Sequence, residues 1–565
     1  MWADARKLAA IRGHVGAGAL ACPSGAKLRR LLIQIELPKF PLPINYYSGV
    51  NLNRPVLLAP TARGTQPLSS YLLPSLADIL FISLLLALAY GTPSLRLLND
   101  PGIGWHIRAG EWILQNHAVP HTDLFSNVTS RQWFAWEWLF EVAVAKIHAW
   151  WGLNGVLVGG AFVIALTFAL LFRLTLRRGA SLLAALVFVV LAVLASTIHY
   201  LARPHVFTWL FALLCWYLLE EKRATRWLWT IPVIVLVWVN VHGGFLIAFA
   251  MLGLSLLGEF WSAVASANQS HDARRNFVQL GQVFGVSLLA SLLNPYGWQL
   301  YVHIYQYLGD SFLMHHIQEM QSPDFHSFGA KCFAVLLFVA ACVAIAKRHL
   351  LRPWQILVLA FFSYSALYAV RNIPIACIVL TLTVAPLLTS RDSGFSQRMG
   401  AMEMRSRGHA WAILFVLATL VACANGGRLL GQQVIHAGFN ADKFPLRAVE
   451  FLAQHPPPDS PPGSPLGPLF TTDAWSGYVI YREWPKLRVV VDDRHDMYGS
   501  EYMKRYLKIV DGEPDWHAQL QATGARSVLV SSTSALGSLL RLSTDWKLVY
   551  DDGQALVFES VPRRN

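Results

Sequence analysis

Cysteine is scarce in this chain and never closely paired. The six residues, Cys22, Cys215, Cys332, Cys342, Cys377 and Cys423, include no CxxC spacing, so neither a zinc site nor a disulfide framework is supported. Five of them fall in or at the edge of apolar stretches, where a thiol behaves as a small core residue. Charge is scarce as well. Only 14% of residues are Asp, Glu, Lys or Arg against 55% hydrophobic, which excludes an ordinary soluble domain. No repeat of fixed period is present, which argues against a solenoid. Residues 1–70 contain no apolar core with a cleavage site. Their basic residues, Arg6, Lys7, Arg12, Lys27, Arg29 and Arg30 among them, fit a transit-like sequence, a basic cytoplasmic tail or a start codon assigned too early.

What the chain has is hydrophobic length. Between Tyr71 and Asn425 lie eleven apolar segments: 71–91, 153–172, 179–198, 204–219, 227–241, 243–262, 277–293, 330–346, 353–369, 372–389 and 410–425. Most approach the ~17–25 residues that a helix needs to cross ~30 Å of hydrocarbon. The expected fold class is therefore an α-helical polytopic membrane protein of about eleven transmembrane helices, the first acting as an uncleaved signal.

Basic loops are retained in the cytoplasm. The segment before the first span and the loops at 173–178, 220–226, 263–276, 347–352 and 390–408 hold 24 Lys and Arg. The alternate connections hold only Arg96, Arg108, Arg131, Lys146, Arg203 and Arg371, with Lys331 opening the eighth span. The N-terminus is expected inside and the region after Asn425 outside. Fusing the segments around the polar break Asn240-Val241-His242-Gly243-Gly244 would move Arg274, Arg275, Lys347 and Arg348 outside, so the break is kept. The formal charge of +13 then reflects topology and anionic lipid headgroups rather than nucleic acid, for which no motif is present.

Beyond the last span, Pro456 through Pro468 reads as a proline-rich linker or loop. Short buried strands are expected at Arg488–Asp492, Ser527–Ser531 and Ala555–Phe558, with helices over 444–454, 500–510 and 514–523. The domain plan is a basic segment 1–70, a membrane domain 71–425 with a first external loop at 92–152, and a small extracytoplasmic α/β domain at 440–565.

The polar residues suited to chemistry all fall on the external side. In the first loop, Trp105, Ala109, Trp112 and Ile113 share one arc of a helix, which predicts a helix along the membrane interface. Asp100 precedes it, as a proton acceptor or cation holder near a lipid headgroup, or as a helix cap. His106 has a direct role or none. Glu137, between Trp136 and Trp138, is a partner for a loop arginine or a site residue. Arg203 and His205 open the fourth span, Asn240 and His242 flank the fifth and sixth, and Arg371-Asn372 joins the ninth to the tenth. At that depth such groups need partners or a wet cavity. Arg203 and Arg371 fit either pairing with Asp100 or Glu137, or a phosphorylated lipid, whose oxygens suit the guanidinium fork.

The run Asp100 through Leu139, with Trp105-His106-Ile107, Gly110, Pro120, Asp123-Leu124-Phe125-Ser126 and Glu137-Trp138-Leu139, resembles the first periplasmic loop of bacterial membrane proteins of the GT-C glycosyltransferase superfamily. That group is similar to protein O-mannosyltransferases, oligosaccharyltransferases and lipid A aminoarabinose transferases. The resemblance continues through Asn240–Phe245, Asn294-Pro295-Tyr296-Gly297, Gly477-Tyr478 and Asp492-Asp493-Arg494. It implies a GT-C-like fold and an inverting transferase of the cytoplasmic membrane. It also implies a polyprenyl-phosphate-linked sugar donor and a glycan, lipid or protein acceptor outside the membrane.

Asp100 matches the acidic residue implied to act in transfer. Asn99-Asp100 stands where an adjacent acidic pair is common, which puts a divalent metal in doubt and leaves a single base as the simpler scheme. The expected site is then Asp100, His106 and Glu137 for catalysis and Arg203, His205, Asn240, His242 and Arg371 for substrate, with no metal ligand and no required cofactor. The competing expectations are a lipid or solute transporter and a non-catalytic assembly factor for envelope polysaccharide. The missing inverted repeats weigh against the former.

The loop charges give a direct test of orientation. In a background free of native cysteines, Ser464→Cys is expected to react with a membrane-impermeant maleimide added outside, and Arg405→Cys is expected to stay unlabelled. The opposite pattern overturns the orientation.

Overall fold

The computed structural model describes residues 73–561 apart from 93, 129–130, 224, 266–269, 390–393, 407 and 456–465. The basic segment 1–70 and most of the proline-rich stretch lie outside the described residues. Helices overlap all eleven apolar segments, from Leu76–Tyr90 to Ala410–Ala424. Among the described residues, five helical stretches are long and apolar enough to cross a membrane: Trp138–Arg177, Leu182–His199, Gly243–Val264, Phe328–Ala346 and Val370–Leu387. Leu76–Tyr90, Arg226–Val239 and Ala410–Ala424 are apolar but shorter.

Local chemistry explains the boundaries. Ser75 and Asp78 form a reciprocal cap on the first helix. The Glu403 carboxylate accepts its free amides from Leu76 at 2.6 Å and Ala77 at 3.1 Å. The 40-residue helix Trp138–Arg177 breaks at Gly152, whose φ of 59° lies in the left-handed region open to glycine. Helix Ile373–Val384 is buried on every side, as expected for a central helix apolar all round. At one end of the bundle Arg178 meets Glu220 at 3.0 Å and Glu221 at 2.6 Å, and Arg223 pairs with Glu259. At the opposite ends of the same helices lie His199, Arg203, His205 and Arg371.

The C-terminal portion holds a mixed five-stranded sheet in the order Leu487–Val489, Leu466–Thr471, Ser527–Ser531, Ala555–Ser560, Trp546–Asp551, with the first three parallel and the last two pairings antiparallel. Two of these strands, Leu466–Thr471 and Trp546–Asp551, go beyond the sequence expectation. Leu466–Thr471 begins inside the proline-rich stretch, and Pro468 is tolerated because the pairing with Leu487–Val489 is irregular between Leu466 and Leu469. The expected strand at 488–492 ends at Val489 because Asp492 turns back to accept the Arg494 amide at 3.0 Å. The segment Phe125–Asn127 pairs with the edge of this sheet. Val489 donates to the Phe125 carbonyl at 3.2 Å, and Asn127 donates to the Val489 carbonyl at 3.0 Å.

Helix Gly102–Asn116 is more enclosed by protein than one apolar arc suggests. Its residues Gly102–Ile107, Ala109, Gly110 and Ile113 are buried, Trp105 among them, because the helix is clamped between Trp138–Arg177 and Asp473–Glu483. Small residues allow the clamp. A Cβ on Gly110 would collide with the Glu141 carbonyl, one on Gly104 with the Gly477 carbonyl, and one on Gly477 with the Pro101 carbonyl. Backbone touches backbone there, and a well-packed contact of this kind has no room for a methyl group.

Gly104→Ala and Gly477→Ala are each expected to lower the thermal unfolding midpoint of the purified protein, at a cost of about 1–3 kcal/mol. Gly281→Ala, whose Cβ meets nothing within 4 Å, is expected to leave it unchanged or higher. Equal midpoints for all three variants would refute the clamp.

Candidate functional site

Three charged groups converge where helix Gly102–Asn116 begins. Asp100 Oδ1 accepts the Gly102 amide at 2.8 Å, and Asp100 Oδ2 receives Arg203 Nη1 at 3.1 Å. Arg203 Nη2 lies 3.7 Å from Asp493 Oδ2, and Asp493 Oδ1 accepts from the Trp105 indole at 2.7 Å. Gly102 leaves the space between them open. A Cβ there would stand 2.8 Å from Asp100 Oδ1, 2.9 Å from Asp493 Oδ2 and 3.1 Å from Arg203 Nη2. Asp100 thus supports the helix start and also faces a cation, and both sequence readings of it apply. Burial pushes the Asp493 carboxyl up to about 7; the Arg203 charge opposes the rise, and the Asp100 and Asp492 charges reinforce it. Its proton is exchanged near neutral pH.

A second group lies at the ends of the neighbouring helices. Glu319 receives His199 Nε2 at 3.3 Å and Arg371 Nη1 at 3.5 Å. Burial works against its ionisation, yet the Arg371 guanidinium and the His199 hydrogen bond outweigh it and hold the carboxyl well below its usual range. Arg371 has no shorter carboxylate partner among the described residues, and its side chain is about a quarter exposed. A phosphate oxygen offers it a better acceptor than this long contact.

Behind these groups runs a buried chain. Thr208 Oγ1 and His242 Nδ1 are 2.8 Å apart, His242 Nε2 lies 3.7 Å from Glu137, Glu137 lies 3.6 Å from His106 Nε2, and His106 Nδ1 lies 3.5 Å from Glu141. Burial lifts Glu137 to about 8, brings His242 down to about 3 and holds His106 well below the usual imidazole value. At neutral pH the links 137, 106 and 242 are therefore uncharged. Neither ring nitrogen of His106 and neither carboxyl oxygen of Glu141 has a hydrogen-bond partner. His106 is fully buried, against Trp105 at 3.7 Å and Phe140 at 5.3 Å between ring centres.

These placements revise part of the expected site. His106 reaches no open space, so its contribution passes through Glu137 and Trp105. Asn240 is saturated: it accepts from the Trp138 indole at 2.7 Å and donates to the carbonyls of Leu236 at 2.9 Å and Leu293 at 3.0 Å. It ties the first loop to the bundle and has no donor left for substrate. His205 bonds the His199 carbonyl at 2.9 Å and packs on its ring. Asp100, Arg203, Glu137, His242 and Arg371 line the polar region.

Sequence reasoning missed Glu319 and His199 as members, and it carries Asp493 only within the motif Asp492-Asp493-Arg494, which forms a turn in the structure. That turn divides. Arg494 is clasped by Asp492 and Asp123, each at 2.6 Å, within the rings of Trp133, Phe125 and Trp105, and is structural. Asp493 points the other way, to Arg203. In the sequence Glu319 is one of three acids in the connection 294–329, with Asp310 and Asp324, and nothing there singles it out.

A divalent metal does not fit this donor set as arranged. Asp100 and Asp493 already share the Arg203 guanidinium, and among the described residues no three His, Cys, Asp or Glu side chains gather into a metal-holding group.

No protein-family model matches the chain, and no curated protein does. Solved structures do. The chain is similar to ArnT from Cupriavidus metallidurans bound to undecaprenyl phosphate, at 16% identity over 86% of this chain and 97% of that one, with a TM-score of 0.47. It is also similar to the archaeal oligosaccharyltransferase AglB from Archaeoglobus fulgidus in complex with an inhibitory peptide and a dolichol-phosphate, at 12% identity over 86% of this chain and 74% of that one, with a TM-score of 0.48.

Proposed function

We propose that this chain is a GT-C-like membrane glycosyltransferase that moves a sugar from a polyprenyl-phosphate donor to an extracytoplasmic acceptor. In this reading the eleven apolar segments all span the cytoplasmic membrane, with the N-terminus inside and the sheet-bearing C-terminal portion outside. The observation that carries it is an oriented carboxylate, Asp100, held on Arg203, with a second guanidinium, that of Arg371 on Glu319, at the same ends of the helix bundle.

Asp100 takes the proton from the acceptor hydroxyl or amide as that atom attacks the anomeric carbon. The new glycosidic bond forms as the bond from the anomeric carbon to the phosphate oxygen breaks, and the bonding pair leaves with the lipid phosphate. Arg371, released from Glu319, and Arg203 neutralise the developing charge. One displacement inverts the anomeric centre. Asp493 tunes the base: while it holds a proton Arg203 is bound to Asp100 alone, and once it ionises Arg203 is shared. The Glu137–His106 pair sets the position of Trp105 and so of Asp493.

With purified full-length protein in detergent and a polyprenyl-phosphate sugar, Asp100→Asn is expected to reduce turnover about 10²–10⁴-fold while the protein stays folded. Undiminished turnover would remove Asp100 as base. Arg371→Ala is expected to raise the donor KM through loss of a phosphate contact, and an unchanged donor KM would remove that role. A carboxyl pushed up to about 7 is protonated below that pH and ionised above it, so transfer is expected to rise as pH increases through about 7. Asp493→Asn is expected to flatten that limb. A strain lacking the protein is expected to accumulate the lipid-linked sugar, and unchanged levels would count against the transferase reading.

A further inference from the structure

A second cavity, of about 430 Å³, opens between the first external loop, helix Gln299–Gly309 and the start of helix His495–Asp511. It lies within the ~300–1,000 Å³ usual for small-molecule sites. The polar region described above does not include it, but one wall is shared. Phe134 stacks on His303 with ring centres 4.2 Å apart, and Trp136 lies 5.2 Å from the same imidazole, while the next residue, Glu137, faces His106 and His242. Tyr296 stiffens the wall by accepting the Ala135 amide at 2.7 Å and donating to the Pro120 carbonyl at 2.9 Å.

The lining has a particular chemistry. Trp298 presents a broad apolar ring that is 65% exposed. Gln132, Gln299 and Gln306 bring three side-chain amides, each a paired donor and acceptor, and none has a hydrogen-bond partner among the described residues. His303 and Asp496, 3.0 Å apart, add a paired imidazole and carboxylate. A flat aromatic face beside planar amides matches a pyranose ring, which has one C–H face and a rim of hydroxyl groups that both donate and accept. Bilayer lipid is the poorer occupant, because three unpaired amides would be desolvated without compensation.

We propose that this cavity is a subsite for a neutral sugar unit of the acceptor, with Trp298 as the stacking platform and Gln299 and Gln306 as hydroxyl readers. The word acceptor rests on the transferase reading; the affinity for sugar does not. The acceptor is thereby a glycan or glycolipid, held across the wall 134–137 from Asp100.

The test uses the full chain in lipid nanodiscs with cellobiose and N,N′-diacetylchitobiose as probes, followed by saturation-transfer NMR. At least one disaccharide is expected to bind saturably, Trp298→Ala and Gln306→Ala to weaken it about tenfold, and Trp298→Phe to keep most of the affinity. In transfer assays Trp298→Ala is expected to raise the acceptor KM about tenfold with kcat and donor KM unchanged. No binding of either probe, binding indifferent to both substitutions, or quenching of Trp298 emission by bromine-labelled lipid chains would overturn the proposal, the last outcome assigning this face to the membrane. Sugar binding lost in Trp298→Ala, with no transfer by the wild type, would leave the subsite standing and remove the transferase reading. Transfer with an unaltered acceptor KM would remove the subsite alone.

Discussion

The arrangement depends on one contact made without side chains. Helix Gly102–Asn116 can lie between Trp138–Arg177 and Asp473–Glu483 only because Gly104, Gly110 and Gly477 bring backbone against backbone. Everything polar in the site follows from that depth. His106 is sealed against Trp105 and Phe140, and the Trp105 indole is presented to Asp493. Asp100 and Asp493, far apart in the chain, come to face the same guanidinium.

Burying these charges is costly, and the protein meets the cost in two ways. Where a charge is kept, it is set against opposite charge. Arg494 has two carboxylates and three aromatic rings, and it anchors the C-terminal portion to the first loop. Where a charge cannot be paired, it is removed by protonation equilibrium. Glu137 is lifted to about 8 and His242 brought down to about 3, so the chain behind the site is polar without being ionic. Arg203, Asp100, Asp493, Arg371 and Glu319 stay partly open.

The helices are legible in the sequence because water offers an apolar run of spanning length no stable place, and the polar ends of those runs point to Asp100, Arg203 and Arg371. Partnership is not legible. Glu319 meets Arg371 and His199 only through folding, and nothing in Gln318-Glu319-Met320 marks it. The aromatic arc of 102–116 suggests an interfacial helix, since periodicity reports one apolar face and is silent about a second helix pressed on the other. Asn240 and His205 look available because their side chains are polar; the carbonyls that occupy them belong to Leu236, Leu293 and His199. Pro468 misleads as well: it argues against a strand, yet it falls within the irregular stretch of pairing between Leu466 and Leu469.

The clasp between Asp123 and Arg494 spans 371 residues of chain. A growing polypeptide passes every membrane helix and the whole first loop before Arg494 exists, and a loop that long closes late. Until then Trp105 has no indole acceptor at Asp493, and Arg203 faces Asp100 alone. The order of synthesis therefore acts as a lock: the polar region closes only after the segment that carries Asp493 and Arg494 has been made and has docked.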